Sequence, residues 1–196
     1  MFEKSVEELT ELGAQITTAE IAQQPELWRD TLNIYRENKE AIEAFLAEAR
    51  AMGEGRLSVV FTGAGTSDYV GDTCAPYLRH AGNTDLYDFK PIATTDIVSA
   101  PRDFLRAEDP TLVVSFARSG NSPESLAAVA VAKELVHNVK FLNITCAPEG
   151  KLAVESADDP NALTLLIPRA NDKGFAMTGS YSVSYTHLRA HETTLH

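Results

Sequence analysis

The chain has 196 residues, a formal net charge of −11 from 17 basic and 28 acidic side chains, and a hydrophobic content of 44%. These values are typical of a soluble globular protein, and the acidic balance argues against nucleic acid as a partner, because phosphate binding needs clustered positive charge. The longest apolar run, residues 126–132, is shorter than the roughly 20 residues that span a bilayer, and the N terminus lacks a secretory signal. We therefore expect a cytoplasmic protein with no membrane partner.

Residues 1–56 are predicted to form a helical leader. Capping boxes begin at Ser5 and at Thr17, where a hydroxyl and a carboxylate three positions later satisfy backbone donors at a helix start. Pro25 suits the first turn of a further helix, since its missing N–H would be unpaired there anyway. Apolar residues then recur at helical spacing over residues 41–52. The leader carries 12 acidic and 6 basic side chains, so we interpret it as an amphipathic scaffold.

From residue 57 to about residue 168, short β-rich segments alternate with helical ones. The predicted strands are residues 57–61, 85–89, 111–115, 140–145 and 163–167. Helices are predicted between them, notably over residues 67–80 and 122–136. Strands that are apolar on both faces and alternate with helices indicate a parallel sheet covered on each side. We therefore predict an α/β fold: a three-layer αβα sandwich around a five-stranded parallel, flavodoxin-like sheet of order 2-1-3-4-5.

Residues 183–196 break this pattern and hold three of the five histidines of the chain. His187 and His191 are four positions apart, a spacing that on a helix places two imidazoles on one face, as in some zinc sites. The third ligand and the catalytic glutamate of a metalloprotease motif are out of place. We interpret these residues as an atypical tail that arises from truncation or a sequence artefact.

The first loop, residues 63–67, follows the first predicted strand. Gly63 and Gly65 permit positive backbone angles and the close approach of a ligand. Thr66 and Ser67 offer hydroxyls where a helix begins, and Ser67 is a suitable N-cap. A helix start presents unpaired N–H groups and a partial positive charge, so this loop is a candidate anion site.

The second loop, residues 117–125, follows the third predicted strand. It supplies three hydroxyls, from Ser119, Ser122 and Ser125, and Gly120 permits a tight turn between them. In the predicted strand order, strands 1 and 3 are neighbours whose connections diverge, which opens a crevice at their carboxyl ends. We therefore predict that the first and second loops form the two walls of one site for a small anion.

The residues of the two loops narrow the choice of anion. Asp68 stands where a dinucleotide-binding motif needs its third glycine, and neither loop contains the G-K-[ST] of a nucleoside triphosphate site. Ala117 stands where the G-x-S-x-G of a serine hydrolase needs a glycine. No cluster of His, Cys or carboxylate residues suggests a metal, so we expect neither a metal nor a cofactor. A phosphomonoester on a small molecule remains.

Gly63–Ser67 and Ala117–Ser122 resemble the paired signature loops of the sugar isomerase (SIS) domain, which binds phosphosugars. The resemblance extends over residues 1–182. The sequence segments 94–105 and 174–182 are similar to those of tagatose-6-phosphate ketose/aldose isomerases, also described as galactosamine-6-phosphate deaminase/isomerases. Members of that family are longer and carry two SIS domains after a helical leader. The resemblance therefore implies a leader over residues 1–56 and a first SIS domain over residues 57–182, incomplete at its C-terminal end.

The resemblance also implies which residues contact the phosphosugar. They are Gly65, Thr66, Ser67, Arg118, Ser119, Gly120, Ser122, Met177 and Thr178. Met177 and Thr178 fall where the family closes the sugar pocket. Many SIS domains have a serine where this chain has Ala117, so one hydroxyl is missing from the second loop.

The resemblance implies a sugar-phosphate isomerase or deaminase that acts through an enediol on tagatose 6-phosphate or galactosamine 6-phosphate, as a homo-oligomer in its full-length form. Such chemistry needs an acid and a base. None of Glu124, His80 and His137 matches the position of a catalytic acid or base in the family, so no catalytic residue is assigned. The truncated chain is therefore expected to be inactive. The alternative is a non-catalytic SIS module that senses phosphosugars. Regulators of that kind carry a basic recognition helix ahead of the domain, and the acidic leader favours the enzyme.

Overall fold

The computed structural model describes residues 2–190. The helices are α1 (Val6–Glu11), α2 (Gln15–Arg50), α3 (Asp68–Ala81), α4 (Thr94–Ser99), α5 (Pro101–Phe104), α6 (Pro123–Leu135), α7 (Lys151–Ser156) and α8 (Thr178–Ala190). The strands are β1 (Leu57–Gly63), β2 (Tyr87–Pro91), β3 (Thr111–Ala117), β4 (Val139–Thr145) and β5 (Ala162–Leu166). Short 3-10 turns cover Gly65–Ser67 and Pro168–Ala170. Among these described helices, none is long and apolar enough to cross a membrane.

The five strands form one parallel sheet in the order β2-β1-β3-β4-β5, which confirms the predicted topology. β1 and β3 lie side by side, with Phe61 opposite Val114 and Gly63 opposite Phe116. Every residue of these two strands is buried, as their apolar sequences predict for the centre of a covered parallel sheet. The loops that follow β1 and β3 consequently emerge next to each other at the same edge.

Helices cover both faces of the sheet and complete the predicted three layers. On one face α2, α3 and α8 pack against inward-pointing strand residues such as Phe61 and Phe116, whose rings stack 6.3 Å apart. On the other face α4 and α6 pack against Val60, Val113 and Phe141. The long helix of the leader therefore shares a hydrophobic core with the sheet.

The leader differs from the prediction at its second and third helix starts. The capping box at Ser5 forms, whereas Thr17 and Pro25 both lie inside the continuous 36-residue helix α2. Proline removes one backbone hydrogen bond and usually ends or kinks a helix. Here the helix is bonded to residues 173–182 on both sides of Pro25, through Glu20 before it and Trp28 after it. We attribute the uninterrupted helix to these tertiary contacts.

The proposed division at residue 182 lies inside α8, and the expectation of an atypical tail is wrong for residues 183–190. These residues continue the helix because Val183, His187 and Leu188 recur at helical spacing and are buried against the core. The ring of His187 meets that of Tyr35 from α2 edge-on, with centroids 6.0 Å apart. Residues 191–196 lie outside the described residues.

Candidate functional site

The first and second loops border a crevice at the carboxyl edge of β1 and β3. Its volume is about 300 Å³. It is lined by Ala64, Gly65, Ser67, Phe116, Ala117, Arg118, Ser119, Gly120, Ser122, Glu124, Ser125 and Met177. A second cavity of about 250 Å³ adjoins it along the first loop and adds Thr66, Phe175, Ser180 and Tyr181. The two loops therefore meet as predicted, and a segment just before α8 contributes a further wall.

The glycines of the first loop serve two different purposes. Gly65 has φ of +59°, a conformation that favours glycine, and a Cβ added there would meet nothing within 4 Å. Gly63 has no positive φ, and a Cβ there would lie 2.5 Å from the backbone carbon of Ser67. Gly63 thus does not use the positive angle that glycine permits; it is needed for the close passage of the chain as it turns into α3.

Ser67 precedes α3 as its N-cap but makes no side-chain capping hydrogen bond, because the 3-10 turn before it changes the usual geometry. Its half-buried hydroxyl lines the crevice instead. The next residue, Asp68, has its pKa raised to about 6 by burial and by the nearby carboxylates of Asp72 and Asp96. The start of α3 therefore presents a hydroxyl toward the crevice beside a carboxylate that is easily protonated.

The hydroxyls of the second loop are held close together. Ser122 is the N-cap of α6, and its Oγ lies 3.0 Å from Oγ of the buried Ser125. Oγ of Ser119 accepts a hydrogen bond from the N–H of Asn121, at 3.3 Å. Gly120 adopts φ of +63°, as its turn position requires. Hydroxyls and amides grouped at the start of a helix form a favourable environment for a phosphate group.

Packing against α7 fixes the second loop. Oδ1 of Asn121 accepts a hydrogen bond from the N–H of Lys151, at 3.0 Å, and the carbonyl of Gly120 accepts one from the N–H of Leu152, also at 3.0 Å. A Cβ added at Gly150 would lie 2.1 Å from the carbonyl oxygen of Ser119. The loop is therefore preorganised by backbone contacts that any larger residue at position 150 would disturb.

Arg118 is a cation in the lining of the crevice, and its guanidinium is anchored at one end. Nη1 of Arg118 donates to the carbonyl of Asp172, at 2.6 Å. Its Nε is buried without a hydrogen bond to any residue the structure describes. Glu124, in the first turn of α6, adds a carboxylate to the same lining. The crevice therefore contains one positive and one negative side chain among mostly neutral hydroxyl and backbone groups.

Residues 171–178, which we call the closing segment, form the additional wall. Met177 lines both cavities and has φ of +46°, which is rare for a residue with a side chain. Phe175 is 99% exposed at the rim of the adjoining cavity. Asp172 is only 3% exposed, and its carboxylate accepts hydrogen bonds from the N–H groups of Gly179 and Ser180, at 3.2 and 2.7 Å. This carboxylate thereby caps the start of α8.

Eight of the nine residues implied by the resemblance line the two cavities, and Thr178 does not. Thr178 is the first residue of α8; its carbonyl accepts a hydrogen bond from Nε2 of Gln24, at 3.0 Å. The lining also contains Ser125, which the sequence predicts as a hydroxyl of the second loop, and Glu124, and Asp172 lies behind Arg118. Glu124 and Ser125 lie within the second loop, whereas Asp172 lies in a polar stretch, residues 171–174, where nothing local in the sequence marks it as buried.

The histidine spacing noted in the sequence does not form a metal site within the described residues. His187 is fully buried in the core, and burial lowers its pKa to about 4. His191 and His196 lie outside the described residues. Over residues 2–190, no group of three or more His, Cys, Asp or Glu side chains is placed to hold a metal ion.

Comparison with known proteins identifies similar chains. The sequence profile described as SIS domain matches residues 55–191. The D-galactosamine-6-phosphate deaminase AgaS of Shewanella sp. is 42% identical over 182 residues, which is 92% of this chain and 46% of the relative. The D-galactosamine-6-phosphate deaminase AgaS of Escherichia coli is 40% identical over 166 residues, 84% of this chain and 42% of the relative. The chain thus spans about half the length of the curated relatives it matches.

Two solved structures extend the comparison. The tagatose-6-phosphate ketose/aldose isomerase of Escherichia coli superposes with a TM-score of 0.83 at 36% identity, covering 90% of this chain and 47% of that one. The C-terminal domain of glucosamine-fructose-6-phosphate aminotransferase from Francisella tularensis has a TM-score of 0.67 at 17% identity, covering 90% of this chain and 46% of that one. The latter likeness concerns the fold alone.

Proposed function

The chain belongs to the SIS domain family, and from that premise we propose that its crevice binds a phosphosugar within a sugar-phosphate isomerase or deaminase. The observation that carries the proposal is the convergence of two Ser/Gly loops on one crevice at the carboxyl edge of β1 and β3. The starts of α3 and α6 both border it, and helix N-termini stabilise anions. A phosphate ester is the anion that suits neutral hydroxyls, backbone amides and a single arginine.

We assign the phosphate to the second loop and the sugar to the space between the first loop and the closing segment. Ser119, Ser122 and Ser125 supply the grouped hydroxyls, with Arg118 beside them. The adjoining cavity is bounded by Thr66, a hydroxyl, and by apolar groups of the closing segment. Such a mixed wall suits a sugar, which presents hydroxyls on its edges and C–H groups on its faces.

The names of the relatives describe two compounds that one reaction connects. A base removes the proton from C2 of open-chain galactosamine 6-phosphate, a proton is delivered to C1, and a second proton moves from the C2 nitrogen to the C1 oxygen. The C1 aldehyde and C2 amine thereby become a C1 alcohol and a C2 imine. Water hydrolyses the imine, which releases ammonia and leaves a ketone at C2, and the product is tagatose 6-phosphate. Isomerisation of an aldose to a ketose uses the same transfer through an enediol. We therefore propose galactosamine 6-phosphate or tagatose 6-phosphate as the substrate.

The second candidate is a phosphosugar-binding module without catalysis. The ionisable side chains in the described lining, Arg118, Glu124 and Tyr181, do not include a histidine or a pair of carboxylates. Acid–base catalysis of this reaction needs at least two proton-transfer groups. This observation favours a binding role for the present chain by itself, with the acid and base of an enzyme provided outside it.

Calorimetric titration tests the proposal. The chain is titrated with galactosamine 6-phosphate, tagatose 6-phosphate, free tagatose and inorganic phosphate. We expect the sugar phosphates to bind and free tagatose not to bind. Ser119→Ala should weaken sugar-phosphate binding by roughly 5- to 150-fold, which corresponds to about 1–3 kcal/mol for a lost buried hydrogen-bond partner. Ser99→Ala serves as the control, because Ser99 is exposed on α4 and lies outside both cavities.

The possible results distinguish the two candidate functions. Binding of both sugar phosphates by a folded chain, with loss in Ser119→Ala, supports the crevice as a phosphosugar site. Equal affinity for inorganic phosphate and the sugar esters would contradict sugar recognition. Absence of binding by a folded chain would contradict the proposal for this chain. Release of ammonia from galactosamine 6-phosphate would favour the deaminase, whereas binding without turnover would favour the non-catalytic module.

A further inference from the structure

Glu20 joins the leader to the closing segment. It lies on α2, is only 7% exposed, and its Oε1 accepts hydrogen bonds from the N–H groups of Lys173 and Gly174, at 2.7 and 2.8 Å. These residues are 153 and 154 positions away in the sequence. A carboxylate that accepts two backbone N–H bonds in a buried place makes a strong, directional contact.

The chain is shaped to receive this carboxylate. A Cβ added at Gly174 would lie 2.6 Å from Oε2 of Glu20, so only glycine allows the present approach. The neighbouring Asp172 also makes two contacts. Its backbone carbonyl accepts a hydrogen bond from Arg118, and its carboxylate caps α8 by accepting from the N–H groups of Gly179 and Ser180. Three consecutive residues of the closing segment are thereby bonded to α2, to the second loop and to α8.

We infer that Glu20 is a positioning residue, which sets the closing segment against the crevice so that Met177 faces the sugar of the sugar phosphate. This inference rests on the proposed function of the crevice. Glu20 does not line either cavity, so it acts through the segment that it holds. The leader is then part of the binding apparatus as well as part of the core.

The location of the contact favours a role in binding over one in stability alone. A buried carboxylate loses hydration, and well-packed apolar residues commonly stabilise a fold as well as a buried charge does. The bonds of Glu20 and Asp172 are concentrated on one short segment, which carries the positive φ of Met177. Strained backbone of this kind persists where surrounding contacts fix it, and it is frequent in binding sites.

The test compares Glu20→Ala and Glu20→Gln with the control Glu26→Ala. Glu26 lies further along α2, but its exposed carboxylate pairs with Arg169 instead of the closing segment. Two quantities are measured: hydrogen exchange of the amides in residues 172–181, and calorimetric affinity for galactosamine 6-phosphate and inorganic phosphate. The first quantity does not depend on any ligand.

We expect Glu20→Ala to speed exchange of the Lys173 and Gly174 amides about tenfold and to weaken galactosamine 6-phosphate binding by about tenfold. Inorganic phosphate binding should change by less than about twofold, since the second loop remains in place. Glu20→Gln keeps one oxygen acceptor and should restore part of both losses, and Glu26→Ala should show neither. A purely structural role would weaken both ligands equally or neither.

Unchanged exchange and unchanged sugar-phosphate affinity in a folded Glu20→Ala would overturn the inference and leave the proposed function standing. Failure of the unmodified chain to bind any phosphosugar would overturn the inference together with the proposed function. In that case, normal hydrogen exchange in Glu20→Ala would also show that the closing segment does not need its contact with Glu20. If Glu20→Ala does not fold, Gly174→Ala replaces it, because its Cβ displaces the carboxylate without removing charge. Normal selectivity for the sugar phosphate in Gly174→Ala would equally contradict the inference.

Discussion

The walls of the crevice are built in two different ways. The first and second loops are local structures, in which Gly65, Gly120 and the serines adopt their geometry within a few residues of a strand end. The closing segment is held by distant residues, since Glu20 and Gln24 contact it across more than 150 positions of sequence. The two loops depend on their own turns and, for the second loop, on contacts with α7 about 30 positions away, whereas the closing segment depends on the correct packing of α2.

The largest expected effect is on the first loop. Gly63→Ala places a Cβ 2.5 Å from backbone of Ser67, where no flexible side chain can move aside. We expect the free energy of unfolding to fall by about 3 kcal/mol or more. The control is Gly65→Ala. The added Cβ meets open space there, but φ is positive, so the free energy of unfolding should fall by only about 1–2 kcal/mol. Denaturant unfolding of both variants measures the difference, and equal losses would contradict the different purposes assigned to the two glycines.

The second effect concerns the pH dependence of stability and arises from a buried histidine of α8. Burial lowers the pKa of His187 on α8 to about 4, against about 6.5 in an unfolded chain. The unfolded state then binds more protons, so the free energy of unfolding should fall as the pH is lowered from about 6.5 toward 4. In His187→Leu this fall should be smaller. Urea unfolding between pH 7 and pH 4 measures it.

Asp68, beside the first loop, should act in the opposite direction. Its pKa is raised to about 6, so the folded state binds more protons between about 4 and 6, and acidification in this window favours folding. Asp68→Asn removes that gain, and its stability should therefore decline more steeply on acidification than that of the unmodified chain. Superimposable pH profiles of the two variants would contradict the assignment.

A smaller loss is expected at the cap of α8. In Asp172→Asn an amide NH₂ replaces one of the two oxygens that accept from Gly179 and Ser180. We expect the free energy of unfolding to fall by about 1–3 kcal/mol, as for a buried donor left without its acceptor. Asp30→Asn is the matched control, because Asp30 forms an exposed ion pair with Arg169 and should cost less than about 1 kcal/mol. Equal losses in urea unfolding would argue against a special role for Asp172.

The smallest effect concerns affinity. Glu124 places a carboxylate on the wall that we assign to the phosphate, and like charges repel. Glu124→Gln should therefore bind inorganic phosphate a few-fold more tightly at low ionic strength, and the gain should shrink as salt screens the charges. Glu134→Gln, at the exposed far end of α6, should leave the affinity unchanged. A decrease in phosphate affinity in Glu124→Gln would mean that Glu124 accepts a hydrogen bond from the protonated phosphate, or orders another contact, instead of opposing the anion.

The sheet and the two loops could be predicted because their signals are local. Runs apolar on both faces indicate covered parallel strands, and the strand order follows from the fold type that they imply. Gly120 and Ser122 mark a turn into a helix through their own backbone preferences. The approximate boundaries of α3 and α6 follow from the same signals.

The closing segment could not be predicted in the same way. Glu20 fits a capping box in the sequence, yet the structure places its carboxylate against Lys173 and Gly174. Asp172 resembles any loop aspartate until its burial against α8 is known. Local sequence gives the propensity of a residue, whereas the partner of a buried carboxylate depends on which distant elements the fold brings together.

The most direct measurement is to map ligand-induced changes in backbone amide NMR shifts across the chain. Inorganic phosphate should shift the amides of the second loop, residues 117–125, and leave the closing segment unchanged. Galactosamine 6-phosphate should shift the second loop and, in addition, the first loop and the amides of residues 174–178. Shifts confined to other parts of the chain, or the same pattern for both ligands, would contradict a crevice that holds phosphate on one wall and sugar against the other.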